Sequence, residues 1–190
     1  MLILFNLASC YYSEMKINKE KLICYIILHL EKELANCEQA ARNAHLAATD
    51  DQSVAETQYD TLAIESAYLA EGQSRRIIEF KKAITGFEQL KSHLKAINAK
   101  AKNNDVQSKT SSLIVNIGSL VQLAEDTEAL HWFFIAPSAA GYRTQLASQH
   151  ITVVTPQSPM GMVLMGKQEE DEIQLTLGSK KLIDEIAYIR

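Results

Sequence analysis

The sequence predicts an α+β chain, with an N-terminal antiparallel coiled-coil hairpin followed by a small antiparallel β-sheet domain that carries one short helix. Three observations predict it. Apolar residues recur at steps of three and four over two long stretches, an acidic polar stretch near residues 49–57 separates those stretches, and the rest of the chain changes to short β-branched segments bounded by Gly, Pro, Asn and Asp.

The first helical stretch carries Ile23, Ile27, Leu30, Leu34, Cys37, Ala41, Ala44 and Ala48 at alternating steps of four and three, the seam of a heptad repeat. Large side chains fill its first half and small ones its second, so a partner helix can approach more closely toward Ala48. The second stretch runs Tyr59, Leu62, Ser66, Leu69, Gln73, Ile77, Phe80, Ile84, Phe87, Leu90, Leu94 and Ile97. Ser53 or Asp51 is its candidate cap, and Glu56 stands three residues after Ser53 in a capping-box relation. Gly86 is expected to weaken this helix by about 1 kcal/mol relative to Ala. Two such helices joined by a short polar turn fold back on each other. The hairpin is assigned to residues 15–103 and the sheet domain to 104–190, with "NAKAKNNDVQSKTS" (98–111) as the linker between them.

In the C-terminal half, "SLIVNIGSLVQLA", "LHWFFIAP", "QHITVVTP", "DEIQLTLG" and "KKLIDEIAYI" read as strands. "SPMGMVLMGK" reads as a short helix capped by Ser158, started by Pro159 and stopped at Gly166. Trp132, Phe133 and Phe134 are expected in the core.

Composition narrows the function. A net charge of −4 argues against a protein that coats nucleic acid by bulk attraction. Cys10, Cys24 and Cys37 have neither a disulfide-framework count nor zinc spacing, which suits a reducing cytoplasm. Residues 1–14, "MLILFNLASCYYSE", superficially suggest a lipoprotein signal at Cys10 but lack a basic n-region, and Met15 opens a natural-looking start, so they read as an extension or a mis-set start. No apolar run reaches the ~20 residues of a membrane helix. His29, His45, His93, His131 and His150 are scattered, and no nucleophile elbow, metal-spaced pair or phosphate-cradling glycine loop occurs.

Asp50, Asp51 and Glu56 pose the main question. Polar turns and helix caps commonly use such residues, yet crowded carboxylates repel one another unless a cation or a basic partner arrives. A resemblance sharpens it. "VVTPQSPMGMVLMGKQEEDEIQLTL" resembles the C-terminal signature of the GreA/GreB transcription elongation factors, matched in order by Ser158, Pro159, Leu164, Gly166, Lys167 and Asp171. "ETQYDTLAIESAYLAEGQSRRIIE" is similar to the second helix of the same family, and the two matches together span most of the chain from Met15.

The resemblance implies an FKBP-like C-terminal domain docked on bacterial RNA polymerase through Ser158, Pro159, Leu164, Gly166, Lys167 and Asp171, with the hairpin inserted into the secondary channel. It implies that Asp50, Asp51 and Glu56 assist cleavage of backtracked RNA, with Asp51 and Glu56 helping to hold a magnesium ion jointly with the polymerase. Arg75, Arg76, Lys81 and Lys82, with Lys91 and Lys95 beyond them, would lie toward the nascent RNA 3′ end; a solvated helix face explains them equally. The protein would then be a monomer with no cofactor of its own and no catalysis of its own. One departure stands out: the family pairs an Asp with a Glu three residues later, and here Ser53 stands at the Asp position before Glu56. Two readings follow, a cleavage-promoting factor and a non-cleaving, Rnk-like or inhibitory channel binder. Outside this family, a prolyl isomerase and a coiled-coil scaffold for a second chain are the alternatives.

Overall fold

The computed structural model of the protein describes residues 17–49, 61–103, 113–126, 130–146, 148–178 and 180–190. Helices α1 (Lys19–Thr49) and α2 (Thr61–Asn103) form a helical hairpin, and strands β1 (Leu120–Leu123), β2 (His131–Ile135), β3 (Arg143–Leu146), β4 (Gln149–Val154), β5 (Glu172–Leu177) and β6 (Lys180–Ile189) form a sheet, with the short helix α3 (Pro159–Leu164) between β4 and β5. By contacts the chain divides into two compact units, one of Met1–Ile23 with Gln89–Arg190 and one of Cys24–Glu88.

The unit Cys24–Glu88 is held by the seam. Ile26, Leu30, Cys37 and Ala44 of α1 and Phe87 of α2 are buried, with Ile27, Leu34, Ala41, Gln73, Ile77, Phe80 and Ile84 half-buried beside them. The heptad reading thus puts most of the right residues inward, but it leaves out Leu22 and Ile26, which are buried, and includes Ile97, which is 48% exposed. Leu69 departs from it at 54% exposure, because the alanine half of α1 offers little side chain to cover a leucine. Lys81 Nζ ties the helices together at 3.3 Å from Glu38 Oε1, though both partners are exposed and such a pair contributes little. Helix α2 runs through Gly86 without a break and continues to Asn103, so residues 98–103 are helix rather than linker. Alanine and lysine dominate "NAKAKN", and both favour helix.

In the other unit, the first turn of α1 is capped by Asn18, whose Oδ1 accepts from the Lys21 N–H at 3.0 Å. The Lys19 ammonium beside it is largely withdrawn from water, and burial pulls its pKa down to about 8. The sheet order is β3-β4-β2-β1-β6-β5. All neighbours are antiparallel except β2 and β4, which run parallel with His131 beside His150 and Ile135 beside Val154. The sheet is antiparallel as expected from the sequence apart from this one parallel pair, which makes it mixed. The reason is the connection after β2, in which the chain turns through Ala139 and Gly141, both at positive φ, and skips one strand position. It enters edge strand β3 and returns as β4 between β3 and β2. Strand β3 itself, "RTQL", is not among the predicted segments; as an exposed edge it has no apolar alternation to give it away. The reverse holds for "SLIVNIGSLVQLA", where only Leu120–Leu123 is strand.

Both faces of the sheet bury apolar residues. One carries Val121, Leu123, Ile135, Val154, Ile173, Ile186 and Ile189 packed with Leu164 of α3, and Met160, Val163 and Met165 close over them. Leu120, Trp132, Phe134, Ile151 and Val153 alternate to the other face and are also buried, as expected for Trp132 and Phe134. Gly118, at φ +93°, stands where a side chain would press on Leu90 and Leu94 of α2.

Candidate functional site

The segment Thr155–Asp171 contains all six signature residues, and the structure gives most of them a local mechanical role. The Ser158 hydroxyl donates to the Thr155 carbonyl at 2.7 Å and accepts from the Gly161 N–H at 3.1 Å, so one oxygen closes the turn after β4 and caps α3. Pro159 starts the helix without losing a hydrogen bond, since that N–H would be unpaired anyway. Leu164 is fully buried in the core. Gly166 adopts φ +76°, with open space where a Cβ would be, so the requirement there is conformational. Its N–H donates to the Val115 carbonyl at 3.0 Å, and the Val115 N–H donates to the Lys167 carbonyl at 2.8 Å, which fastens the loop to the segment leading into β1. Asp171 accepts from the Gln168 N–H at 2.7 Å and closes the turn that begins β5.

Lys167 is the exception. Its backbone is bonded, but its ammonium forms no ion pair among the described residues. Met162, 63% exposed on α3, lies five residues before it. Sequence reasoning missed Gly161, whose role is steric: a Cβ there would overlap the Thr155 carbonyl oxygen, so α3 reaches the β4 turn only with glycine. The signal available was the position itself, N3 of a Ser-Pro-initiated helix where glycine is otherwise unfavourable.

The acidic turn between Lys167 and β5 is built with some strain. Glu170 sits at φ +71°, and its N–H donates to the Ile186 carbonyl at 2.8 Å. Glu169 Oε1 accepts from the Ile189 N–H at 2.8 Å, tying this turn to β6.

The basic residues of α2 are less available than their number suggests. Arg75 pairs with Glu71 at 2.7 Å, the Arg76 guanidinium lies 5.9 Å from the Phe80 ring centre, and Lys81 pairs with Glu38. Lys82 is exposed and has no partner among the described residues. Asp50, Asp51, Ser53 and Glu56 lie outside the described residues. Among the described residues, no group of three His, Cys, Asp or Glu is placed to hold a metal ion, and no helix is long and apolar enough to cross a membrane.

No protein-family model and no curated protein matches the chain. Among solved structures it is similar to the GreA factor homolog 1 (Gfh1) of Thermus thermophilus, with 15% identity over 86% of this chain and 94% of that one and a TM-score of 0.32. A second structure of the transcription factor Gfh1 matches at 13% identity over 86% and 92% with a TM-score of 0.34. Gfh1 of Thermus aquaticus matches at 15% over 85% and 91% with a TM-score of 0.31. Likeness at this level carries no functional argument by itself, so the case for function rests on the residues of the Thr155–Asp171 segment and on the order of hairpin and sheet.

Proposed function

We propose that this chain is a transcription factor of the GreA/GreB type, which binds bacterial RNA polymerase through its secondary channel and promotes cleavage of backtracked RNA. The observation that carries the reading is the Thr155–Asp171 segment, where a family-like signature forms one capped, glycine-limited turn of helix on a sheet that follows a long helical hairpin. Since Ser158, Pro159, Leu164, Gly166 and Asp171 have structural work in that turn, the docking contact falls to Lys167 and the exposed side of α3 at Met162. The hairpin would carry Asp50, Asp51 and Glu56 to the polymerase active site. Carboxylates are suitable ligands for Mg²⁺, and an ion held there by Asp51 and Glu56 jointly with the polymerase would stabilise the attacking and leaving oxygens of phosphodiester hydrolysis. The bond-breaking chemistry would remain the polymerase's, and Lys82 would be one cation on α2 able to approach the RNA 3′ end.

A second reading of the same binding mode is favoured by one specific observation, the Ser53 that precedes Glu56 where the family has an acid. In that reading the protein occupies the channel and modulates transcription without stimulating cleavage. A backtracked elongation complex at fixed Mg²⁺, with and without the protein, distinguishes the two. Shortened transcripts that disappear with Glu56→Ala support cleavage. Binding with slowed elongation and no shortening supports the regulator. No binding to polymerase overturns both.

A further inference from the structure

The parallel pairing of β2 with β4 puts two imidazoles side by side. His131 is in register with His150, which is in register with Gln145 of β3, and one step along Phe133, Thr152 and Arg143 form the next row on the same face. This is the face that α3 covers, but the cover ends before β3: Arg143, Gln145 and His150 are exposed, and His131 and Thr152 are half-buried. His131 Nε2 and Thr152 Oγ1 are 2.8 Å apart, and the His131 ring leans on Phe133 with ring centres 4.6 Å apart. We propose that this corner, built from Arg143, His150, His131 and Thr152, is a phosphate-binding site for either a free phosphate or the phosphodiester of a nucleic-acid strand.

Donor chemistry and charge argue for it together. A guanidinium, two imidazoles and a hydroxyl converge from three adjacent strands, which suits an anion with oxygens on several sides better than the flat two-oxygen face of a carboxylate. In a chain of net charge −4 this corner is balanced, Arg143 against Asp126, and becomes positive when an imidazole takes up a proton. The charged groups that face His131 are Asp126, His150 and Arg143, one acid and two basic groups. Asp126 Oδ2 also accepts from the His131 backbone N–H, which holds that carboxylate at the start of β2. Arg143 has no ion pair among the described residues. With nothing bound, burial and the neighbouring His150 and Arg143 hold the His131 pKa below its ordinary value, partly offset by Asp126. A bound phosphate favours the imidazolium form of a neighbouring histidine, so by linkage its affinity rises as pH falls. The site is separate from the Thr155–Asp171 segment and stands whether or not the proposed function does.

Imidazole resonances of the full chain, followed by NMR through a pH titration with inorganic phosphate or with chloride at matched ionic strength, test the site directly. Phosphate is expected to raise the midpoints of His131 and His150 by about one pH unit, the equivalent of tenfold tighter binding to the protonated form. His29, His45 and His93 serve as internal references and are expected to stay in place. Arg143→Gln, an exposed change whose folding Trp132 fluorescence verifies, is expected to remove at least half of the shift. A short single-stranded RNA that competes with phosphate for the same shift identifies the nucleic-acid backbone as the source; a shift with phosphate and none with RNA identifies a small phosphoryl ligand. Equal movement of all five histidines, an unchanged shift in Arg143→Gln, or the same shift produced by an acidic peptide overturns the proposal.

Discussion

The hairpin arm and the Thr155–Asp171 segment hold their parts in place with opposite tolerances. In the arm, position is spread over a seam of side chains, each buried to a different degree, with alanines accepted at one end and an exposed leucine at Leu69. In the segment, position is set by single atoms, namely the Ser158 hydroxyl serving two backbone groups and the missing Cβ of Gly161. A seam averages its errors, whereas a steric fit does not. A single substitution along the seam should therefore cost little, while one around α3 should be felt in full.

Glycine substitutions offer the largest test of that contrast. Gly161→Ala forces α3 away from the Thr155 carbonyl and should destabilise the sheet unit by about 3 kcal/mol or more, in line with strained overpacking. Gly72→Ala, in the middle of α2 with open space at its Cβ, should instead stabilise the arm by roughly 0.5–1 kcal/mol. Trp132 is the sole tryptophan and lies in the sheet, so its fluorescence follows one unit while circular dichroism at 222 nm follows chiefly the helices. Separate movement of the two transitions supports the contrast. A Gly161→Ala protein whose tryptophan transition matches the parent would break it.

Lys19 gives the next largest effect. Its pKa is held near 8 by burial, so the folded state gives up this proton more readily than the unfolded chain. The sign follows directly: below about pH 8 both states carry the charge and the full penalty is present, and it is relieved as pH rises from about 8 toward 10.5. Lys19→Met should therefore raise stability near pH 7 by on the order of 1–3 kcal/mol. The gain should shrink between pH 8 and 10.5 in denaturant titrations. A gain that does not vary with pH would mean that packing, not charge burial, is the cause.

Ser158→Ala should cost about 1 kcal/mol, the usual loss of an N-cap. Ser158→Asp separates its two roles, since a carboxylate caps the helix but cannot donate to Thr155. If Asp restores the tryptophan transition in full, the Thr155 bond contributes nothing measurable.

Periodicity made the seam legible in the sequence from Ile23 to Ala44 and from Gln73 to Leu94, because burying one stripe of a helix leaves a repeat that any reader can count. Turn chemistry made α3 legible, since Ser158, Pro159 and Gly166 each have a local reason to stand where they do. Pairing was not legible. Nothing in "RTQL" marks an edge strand, and nothing in "LHWFFIAP" or "QHITVVTP" says that they lie parallel, because strand partners are chosen by the length and path of the connections. The same gap hid the corner at Arg143 and His150, residues 12 positions or more from His131 that only the parallel register brings beside it. The acids at Asp50, Asp51 and Glu56 were legible as a cluster, and their geometry is outside the described residues.

The smallest expected effect follows from that corner. His131 is held neutral below its ordinary pKa, so as pH falls under about 6.5 the unfolded chain takes up this proton before the folded one does. Stability of the sheet unit should therefore decline on the acid side, and the decline should level off only once the folded imidazole is protonated as well. His131→Gln keeps a hydrogen-bonding partner for Thr152 and removes the titration. Its tryptophan transition should have a shallower slope between pH 6.5 and 5 than the parent's and little difference at pH 8, while the arm, read by circular dichroism, should be unchanged at both. Because His131 is only half-buried, solvent screens much of the penalty, and the slope is a better observable than any single stability value. An unchanged slope in His131→Gln would show that His131 does not carry the acid sensitivity of the sheet.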